Sequence, residues 1–195
     1  MSDKYKATDL EKAYFLTTTV VGWIDLFTWK RNRDIIVNAL KYCQANKGLE
    51  IYGWCLMPSH LHLICRSNSN MTVADIMRDF KRHTSKQLIA SVQESGESRK
   101  EWILEQFRKA CAHLKRDQKF KVWQNGYHAE ELASNKFIYQ KLVYLHMNPV
   151  KDGIVEHPEE YKYSSGPAYA DKEGLLNVAV LPQELKTVCW NRVTF

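Results

Sequence analysis

Two histidines separated by one leucine, within an otherwise apolar run, constrain this chain more than any other feature. The run covers residues 54–66, and the histidines are His60 and His62. Side chains alternate between the two faces of a β-strand, so the spacing predicts that both imidazoles point to one face and Leu61 and Leu63 to the other. Two adjacent imidazoles can hold a metal ion. Hydrogen-bonded core histidines are the alternative, and the pair alone does not decide between them.

The length and composition predict one ordinary globular domain. The chain has 195 residues, of which 45% are apolar and 26% charged, as expected for a soluble protein with a full core. Its first residues are polar, and no apolar run approaches the roughly 18 residues of a membrane span. We therefore expect a cytoplasmic protein with no membrane partner.

Cysteine spacing and net charge narrow the function classes further. The five cysteines are scattered without a C-x-x-C spacing, which argues against a disulfide framework and a zinc knuckle. The net charge of +6 favours a polyanionic partner. Nucleic acid is preferred as this partner over an anionic membrane surface.

Hydrophobic periodicity and turn signals predict alternating strands and helices. The predicted strands cover residues 14–21, 49–56, 60–66 and 120–124, with a further small edge strand at 175–181. The predicted helices cover residues 31–46, about 72–92, and 134–148, the last capped by Ser134 and stopped by Pro149. This order predicts an α+β fold, a ferredoxin-like antiparallel sheet with helices packed on it. We expect a single domain over residues 1–195, with a helical insertion near 97–118 and a C-terminal extension near 170–195.

A tyrosine and an asparagine on the last predicted helix form a second candidate constellation. Tyr144 and Asn148 are four residues apart, so they project from the same helix face. A carboxamide oxygen is a ligand for hard cations, and with two imidazoles it completes three protein ligands. A phenol one turn away is a candidate nucleophile toward a phosphorus polarised by the metal. A helix-packing role for Tyr144 is the alternative.

These motifs together resemble a known family. Residues 57–64 (MPSHLHLI) and 144–153 (YLHMNPVKDG) look like the single-tyrosine HUH transposases, most closely the REP-associated tyrosine transposases. Further similar segments are 80–86, 122–128 and 161–165, so the resemblance spans about residues 14–170. It implies the HUH endonuclease fold.

The resemblance also implies an activity and a set of residue roles. The expected function is cleavage and strand transfer of single-stranded DNA, often hairpin-forming repeat DNA, with a divalent metal, Mg or Mn. The intermediate is a 5′-phosphotyrosine, and a 3′ hydroxyl is released. By this resemblance His60, His62 and Asn148 are metal ligands and Tyr144 is the nucleophile. We expect a monomer or homodimer, and in this family the tyrosine serves either its own subunit or a partner's.

Basic residues on the second predicted helix are candidate DNA contacts. Arg78, Lys81, Arg82 and Lys86 recur at helical spacing and form a cationic stripe about two turns long. A merely solvated helix face is the alternative. Beside a DNA-processing site we expect phosphate contacts that weaken as salt rises. Lys151, just past the tyrosine helix, is a second candidate phosphate contact.

The sequence leaves the roles of several aromatic and histidine side chains undecided. Trp123 and Tyr127 are candidates for stacking on bases, with core packing favoured for Trp123. His128 follows the predicted strand at 120–124 and is a weak candidate for a place near the metal. His146 is expected on the opposite side of the helix from Tyr144.

Two other functions stay possible beside a transposase. One is a DNA-binding regulator of the same fold that no longer cleaves DNA. The other is a metal-dependent hydrolase of small phosphoesters, in which the basic residues are only solvated.

Overall fold

The computed structural model describes residues 7–112 and 118–182. The strands are β1 (Tyr14–Thr19), β2 (Leu49–Leu56), β3 (His60–Ser67) and β4 (His128–Glu131). The helices are α1 (Lys30–Lys47), α2 (Val73–Glu94), α3 (Lys100–Lys109), α4 (Asn135–Lys151) and the short α5 (Gly166–Tyr169). No helix in these ranges has both the length and the apolar character needed to span a bilayer.

The four strands form one antiparallel sheet in the order β2-β3-β1-β4. Strands β2 and β3 are a hairpin, whose turn is closed by the bond from the Met57 N–H to the His60 carbonyl at 2.8 Å. The other neighbours are reached through helices, as the β-α-β-β-α-β order requires. The prediction of an α+β, ferredoxin-like sheet is confirmed.

The helices pack on both faces of this sheet. Leu61 and Leu63 are buried on the face covered by α1 and α2. On the other face α4 crosses β2 and β3. A Cβ at Gly53 would lie only 2.8 Å from Cδ1 of Leu142 on α4. The glycine therefore lets α4 approach the strand pair closely.

Local capping chemistry sets several helix ends. The Thr72 hydroxyl accepts a bond from the Asp75 N–H at 3.1 Å at the start of α2, and Ser134 accepts from Phe137 N–H at 3.3 Å at the start of α4. Such caps satisfy N–H groups that have no partner inside the helix. Gly48, with a φ of 71°, ends α1.

The expectation that Pro149 stops the tyrosine helix is wrong. Helix α4 continues to Lys151 with Pro149 inside it. Proline removes one donor but leaves its own carbonyl free to accept. The N–H groups of Asp152 and Ile154 bond to the Asn148 and Pro149 carbonyls at 3.0 and 2.8 Å, so the last turn closes after the proline.

The strand expected at residues 120–124 is also misplaced. Only Trp123 makes a bridge, with Val20, and the regular edge strand is β4. From Thr17 to Val20, β1 moves along by three residues, whereas their partners His128 and Trp123 are five residues apart. The extra residues of the edge segment lie at the 125–126 turn and interrupt the strand.

The edge strand expected at residues 175–181 does not form. Residues 175–181 give β2 one bond, from the Ala179 N–H to the Ile51 carbonyl at 2.9 Å. Irregular chain covers the C-terminal half of the β2 edge. The N–H of Leu56 donates to the Tyr163 carbonyl, and the N–H of Ser165 donates to the Trp54 carbonyl, both at 2.9 Å. Residues 163–165 therefore cover the outer edge of β2.

The predicted insertion contains α3. Residues 113–117 of the predicted insertion and residues 183–195 of the predicted C-terminal extension lie outside the described ranges. The single-domain organisation over 1–195 stays a prediction.

Candidate active site

The two histidines lie side by side at the start of β3. His60 is paired with Thr19 and His62 with Thr17, both on β1. The imidazole centroids are 4.7 Å apart, and both rings lie on the face of the sheet that α4 covers. This is the arrangement that the alternation of a strand predicts.

Each imidazole is held through Nδ1. The Thr17 Oγ1 lies 2.9 Å from Nδ1 of His62, and the Ser59 Oγ lies 3.1 Å from Nδ1 of His60. When Nδ1 carries the proton, Nε2 keeps a lone pair for a ligand. Nε2 of His62 is buried and has no hydrogen-bond partner within the described part of the chain. A buried polar atom without a partner is costly, unless it binds something that enters the site.

Burial keeps both rings neutral. It lowers the pKa of His62 to about 3, with smaller contributions from the neighbouring His60 and from Lys141. Burial likewise lowers the pKa of His60 below its usual value. A neutral imidazole is the form that binds a metal ion.

Helix α4 brings Tyr144 to the histidines of the same chain. The centroids of the Tyr144 and His62 rings are 5.4 Å apart, in an edge-to-face contact. Leu142 and Leu145 are buried and anchor the helix to the sheet, while 45% of Tyr144 is exposed. The phenol is therefore fixed at its base and open to an incoming ligand.

Asn148 lies one turn after Tyr144. Its Nδ2 donates to the Tyr144 carbonyl at 2.8 Å, which leaves the carboxamide oxygen for another partner. In residues 7–112 and 118–182, no group of three or more His, Cys, Asp or Glu side chains is arranged to hold a metal. Asn148 stays the predicted third ligand on the tyrosine helix.

Lys141 also lies at this site and was not among the predicted site residues. It precedes Tyr144 by three residues and Lys151 follows it by seven, so both share its helix face. The Lys141 ammonium lies 2.8 Å from the Glu130 carboxylate on β4 and 4.7 Å from the centroid of the Phe15 ring. The spacing from Tyr144 was the signal that could have identified it. Lys151 is exposed at the last residue of α4.

The basic residues of the predicted cationic stripe on α2 differ in their hydrogen-bond partners. Arg82 pairs with Asp79 at 3.1 Å, and Arg78 pairs with Asp75. The Lys81 ammonium instead donates to the backbone carbonyls of Gln124, at 3.2 Å, and of Gly126. Burial, with a smaller contribution from Lys121, lowers the pKa of Lys81 to about 8.

The stripe forms one wall of an open groove. Helix α2 and residues 118–126 enclose about 990 Å³. The basic residues of the lining are Arg78, Lys81, Arg82 and Lys86 from α2, and Lys119 and Lys121 from the opposite wall. Neither opposite lysine was predicted as a DNA contact, because Lys119 fell between the predicted insertion and the next strand, and Lys121 lay within the strand predicted at 120–124.

The rim of the groove reaches the sheet edge beside β1, while its α2 wall lies on the face opposite the histidines. The N–H of Gln124, at the rim of the groove, donates to the Thr19 carbonyl at 2.9 Å, and Thr19 is the β1 partner of His60. Two strand spacings, about 10 Å, therefore separate this rim from His60.

The remaining candidates divide between core and edge. Trp123 is buried and donates from Nε1 to the Thr84 hydroxyl at 3.0 Å, so it packs in the core. His146 is also buried, 2.6 Å from the Ser165 hydroxyl. His128 is exposed on β4, where it pairs with Thr17 of β1. Tyr127 is partly buried beside the core.

The fold and site together define a class of protein. An antiparallel ferredoxin-like sheet with an adjacent histidine pair on a central strand, faced by a helix that carries a tyrosine, is the HUH endonuclease fold. A sequence profile of the family described as "Transposase IS200 like" matches residues 26–142. The chain belongs to the IS200-like transposase family, as its motifs predicted. The matched residues include His60 and His62 and end two residues before Tyr144.

A solved structure shares this fold. It is described as a REP-associated tyrosine transposase bound to a REP hairpin, and it superposes with a TM-score of 0.58 at 15% sequence identity. The match covers 93% of this chain and 98% of that chain. No protein among those of curated function matches the chain significantly.

Proposed function

We propose that this protein cuts and rejoins single-stranded DNA, with Tyr144 as the nucleophile and the scissile phosphate held at the histidine pair. The observation that carries this proposal is the contact between the Tyr144 and His62 rings, whose centroids are 5.4 Å apart. Two chain segments some eighty residues apart meet there, and each carries one part of the chemistry. Membership of a transposase family supports the same reaction class.

The residues at the pair fit a divalent metal ion. Nε2 of His62 is buried without a partner in the described ranges, both rings are neutral, and Thr17 and Ser59 hold the opposite nitrogens. His60, His62 and the Asn148 carboxamide oxygen would hold the ion, Mg²⁺ or Mn²⁺. When bound, the ion would supply Lewis-acid polarisation of a phosphate oxygen.

The chain's own residues account for the bond changes. The Tyr144 Oη attacks the phosphorus, the bond from phosphorus to the 3′ oxygen breaks, and a 5′-phosphotyrosine forms. The phenol proton passes to solvent, to which the side chain is open, and the released 3′ oxygen takes up a proton from water. Attack of a 3′ hydroxyl on the phosphotyrosine reverses these changes and restores Tyr144, which joins the strands without a further energy source.

The charge distribution supports a nucleic-acid substrate. The groove between α2 and residues 118–126 is lined by six lysine and arginine residues and begins about two strand spacings from His60. Phosphate contacts of this kind give DNA affinity that does not depend on sequence. The solved structure with the same fold is bound to a REP hairpin, and we propose hairpin-forming DNA with a single-stranded flank as the substrate.

The test is formation of a covalent adduct. The protein is incubated with Mn²⁺ and labelled hairpin oligonucleotides that carry single-stranded flanks, and the products are separated under denaturing conditions. We expect a shifted, labelled protein band that is absent from Tyr144→Phe and from samples with a chelator. Tyr42→Phe is the matched control, since Tyr42 is also exposed but lies on α1, and it should keep the band.

Two other results would point elsewhere. An undiminished adduct in Tyr144→Phe would show that another residue is the nucleophile. DNA binding without any adduct, in the presence of Mn²⁺, would indicate a regulator that has lost cleavage.

A further inference from the structure

A short loop after β1 presents an exposed tryptophan beside the histidine pair. Residues 20–27 (VVGWIDLF) are apolar apart from Gly22 and Asp25, and every apolar one of them except Trp23 is buried. Trp23 is 62% exposed. Its ring meets that of His60 edge to face, with centroids 5.5 Å apart.

The backbone holds this tryptophan in an unusual conformation. Trp23 has a φ of 55° and follows Gly22, whose φ is 64°. Bulky residues rarely adopt positive φ, and such positions cluster at functional sites. The N–H groups of Val20 and Phe27 donate to the Ser59 and Pro58 carbonyls at 2.9 and 2.8 Å. The loop is thus tied to the turn that precedes His60.

Four rings follow one another across the site. From Trp23 to His60, His62 and Tyr144, successive centroids are 5.5, 4.7 and 5.4 Å apart. The two end members are exposed and the two inner members are largely buried. A phosphate at the histidines would therefore have the nucleophile on one side and a free indole on the other.

We propose that Trp23 is a stacking platform for an unpaired nucleobase next to the scissile phosphate. This inference rests on the proposed function. Aromatic side chains stack on bases of any sequence, and a platform fixed by the backbone loses little freedom when the base arrives. The loop also leads toward the cationic groove, because the Val21 N–H donates to the Val122 carbonyl at 2.8 Å and Val122 lines that groove.

Two probes of equal length separate stacking from charge. One is fluorescently labelled oligothymidylate, and the other is a labelled deoxyribose phosphate chain without bases. Affinities are measured by fluorescence anisotropy in a Tyr144→Phe background, so that cleavage does not interfere. Trp23→Ala should weaken oligothymidylate binding about tenfold and leave binding of the base-free chain unchanged. Trp23→Phe should retain most of the affinity.

Tyr42→Ala is the matched control, because Tyr42 is exposed to a similar extent, 58%, but lies on α1. It should change neither affinity. Thermal unfolding of each variant checks that the fold is intact, and sedimentation velocity measures self-association.

Three outcomes would overturn the inference: unchanged oligothymidylate binding by Trp23→Ala, an equal loss with both probes, or a loss of self-association that makes Trp23 a protein contact. The proposed function fails by a different result, the absence of an adduct with the unmodified protein. The two failures can therefore be told apart.

Discussion

Thr17 determines which nitrogen of His62 is left without a protein partner. Its hydroxyl lies 2.9 Å from Nδ1 of that ring, and partners of this kind orient metal-binding histidines. Replacing Thr17 with valine keeps the shape of the side chain and removes the hydrogen bond. We expect Thr17→Val to weaken Mn²⁺ binding roughly ten- to a hundredfold, as measured by isothermal titration calorimetry.

The neighbouring Thr18 provides the matched control. Its hydroxyl is buried without a partner in the described part of the chain, and strand alternation turns it to the other face of the sheet. Thr18→Val should leave Mn²⁺ affinity unchanged and should not lower the melting temperature. Equal weakening by the two substitutions would mean that the Thr17 hydroxyl has no specific role.

Single residues also show how far the sequence could predict the site. The shared face of His60 and His62 follows from strand alternation alone. Their contact with Tyr144 does not follow from spacing, because it depends on how a helix some eighty residues later packs. Trp23 was missed because it lies in an apolar run whose other apolar members are buried, and neither exposure nor positive φ is visible in residue types.

At the scale of elements, the approach of α4 to the sheet depends on Gly53. A Cβ there would lie 2.8 Å from Leu142 and 3.3 Å from Leu145 side-chain carbons, so the helix must shift or both leucines must adjust. We expect Gly53→Ala to destabilise the protein by about 1–3 kcal/mol and to reduce adduct formation, because Tyr144 moves with the helix. Urea unfolding and the adduct assay measure the two effects.

Gly96 is the control for this substitution. An added Cβ there would meet nothing within 4 Å, so Gly96→Ala should leave adduct formation unchanged and change stability only slightly. A Gly53→Ala protein with normal stability and normal adduct formation would show that α4 tolerates displacement.

Elements formed by local patterns were the most predictable ones. Helices α1 and α2 and the β2–β3 hairpin follow from apolar periodicity and turn residues. The edge strand did not, because Trp123 pairs with Val20 before the 125–126 turn and β4 pairs with residues 14–17 after it, with extra residues between them. The passage of α4 through Pro149 depends on N–H groups beyond the helix, which the proline rule does not include.

At the scale of the whole molecule, six lysine and arginine residues line one groove at the β4 side of the sheet. Each phosphate contact removed from a single-strand complex should lower the slope of log affinity against log salt by about 0.7. We expect Lys86→Gln to reduce the slope by about this amount for oligothymidylate. The measurement is fluorescence anisotropy over a series of NaCl concentrations.

Lys172→Gln removes the same charge elsewhere. Lys172 is exposed and follows α5, beyond the β2 edge of the sheet, and its substitution should leave the slope unchanged. Equal changes in both variants would indicate that net charge alone, and not the groove, governs binding.

The outer edge of β2 stays uncovered until late in the synthesis of the chain. Residues 163–165 bond to β2 at Trp54 and Leu56, more than a hundred positions earlier in the chain. Synthesis proceeds from the N-terminus, so the hairpin leaves the ribosome long before its cover does. An uncovered strand edge pairs readily with other chains. The nascent protein therefore passes through an interval of exposure to misassembly that ends only when this late segment emerges.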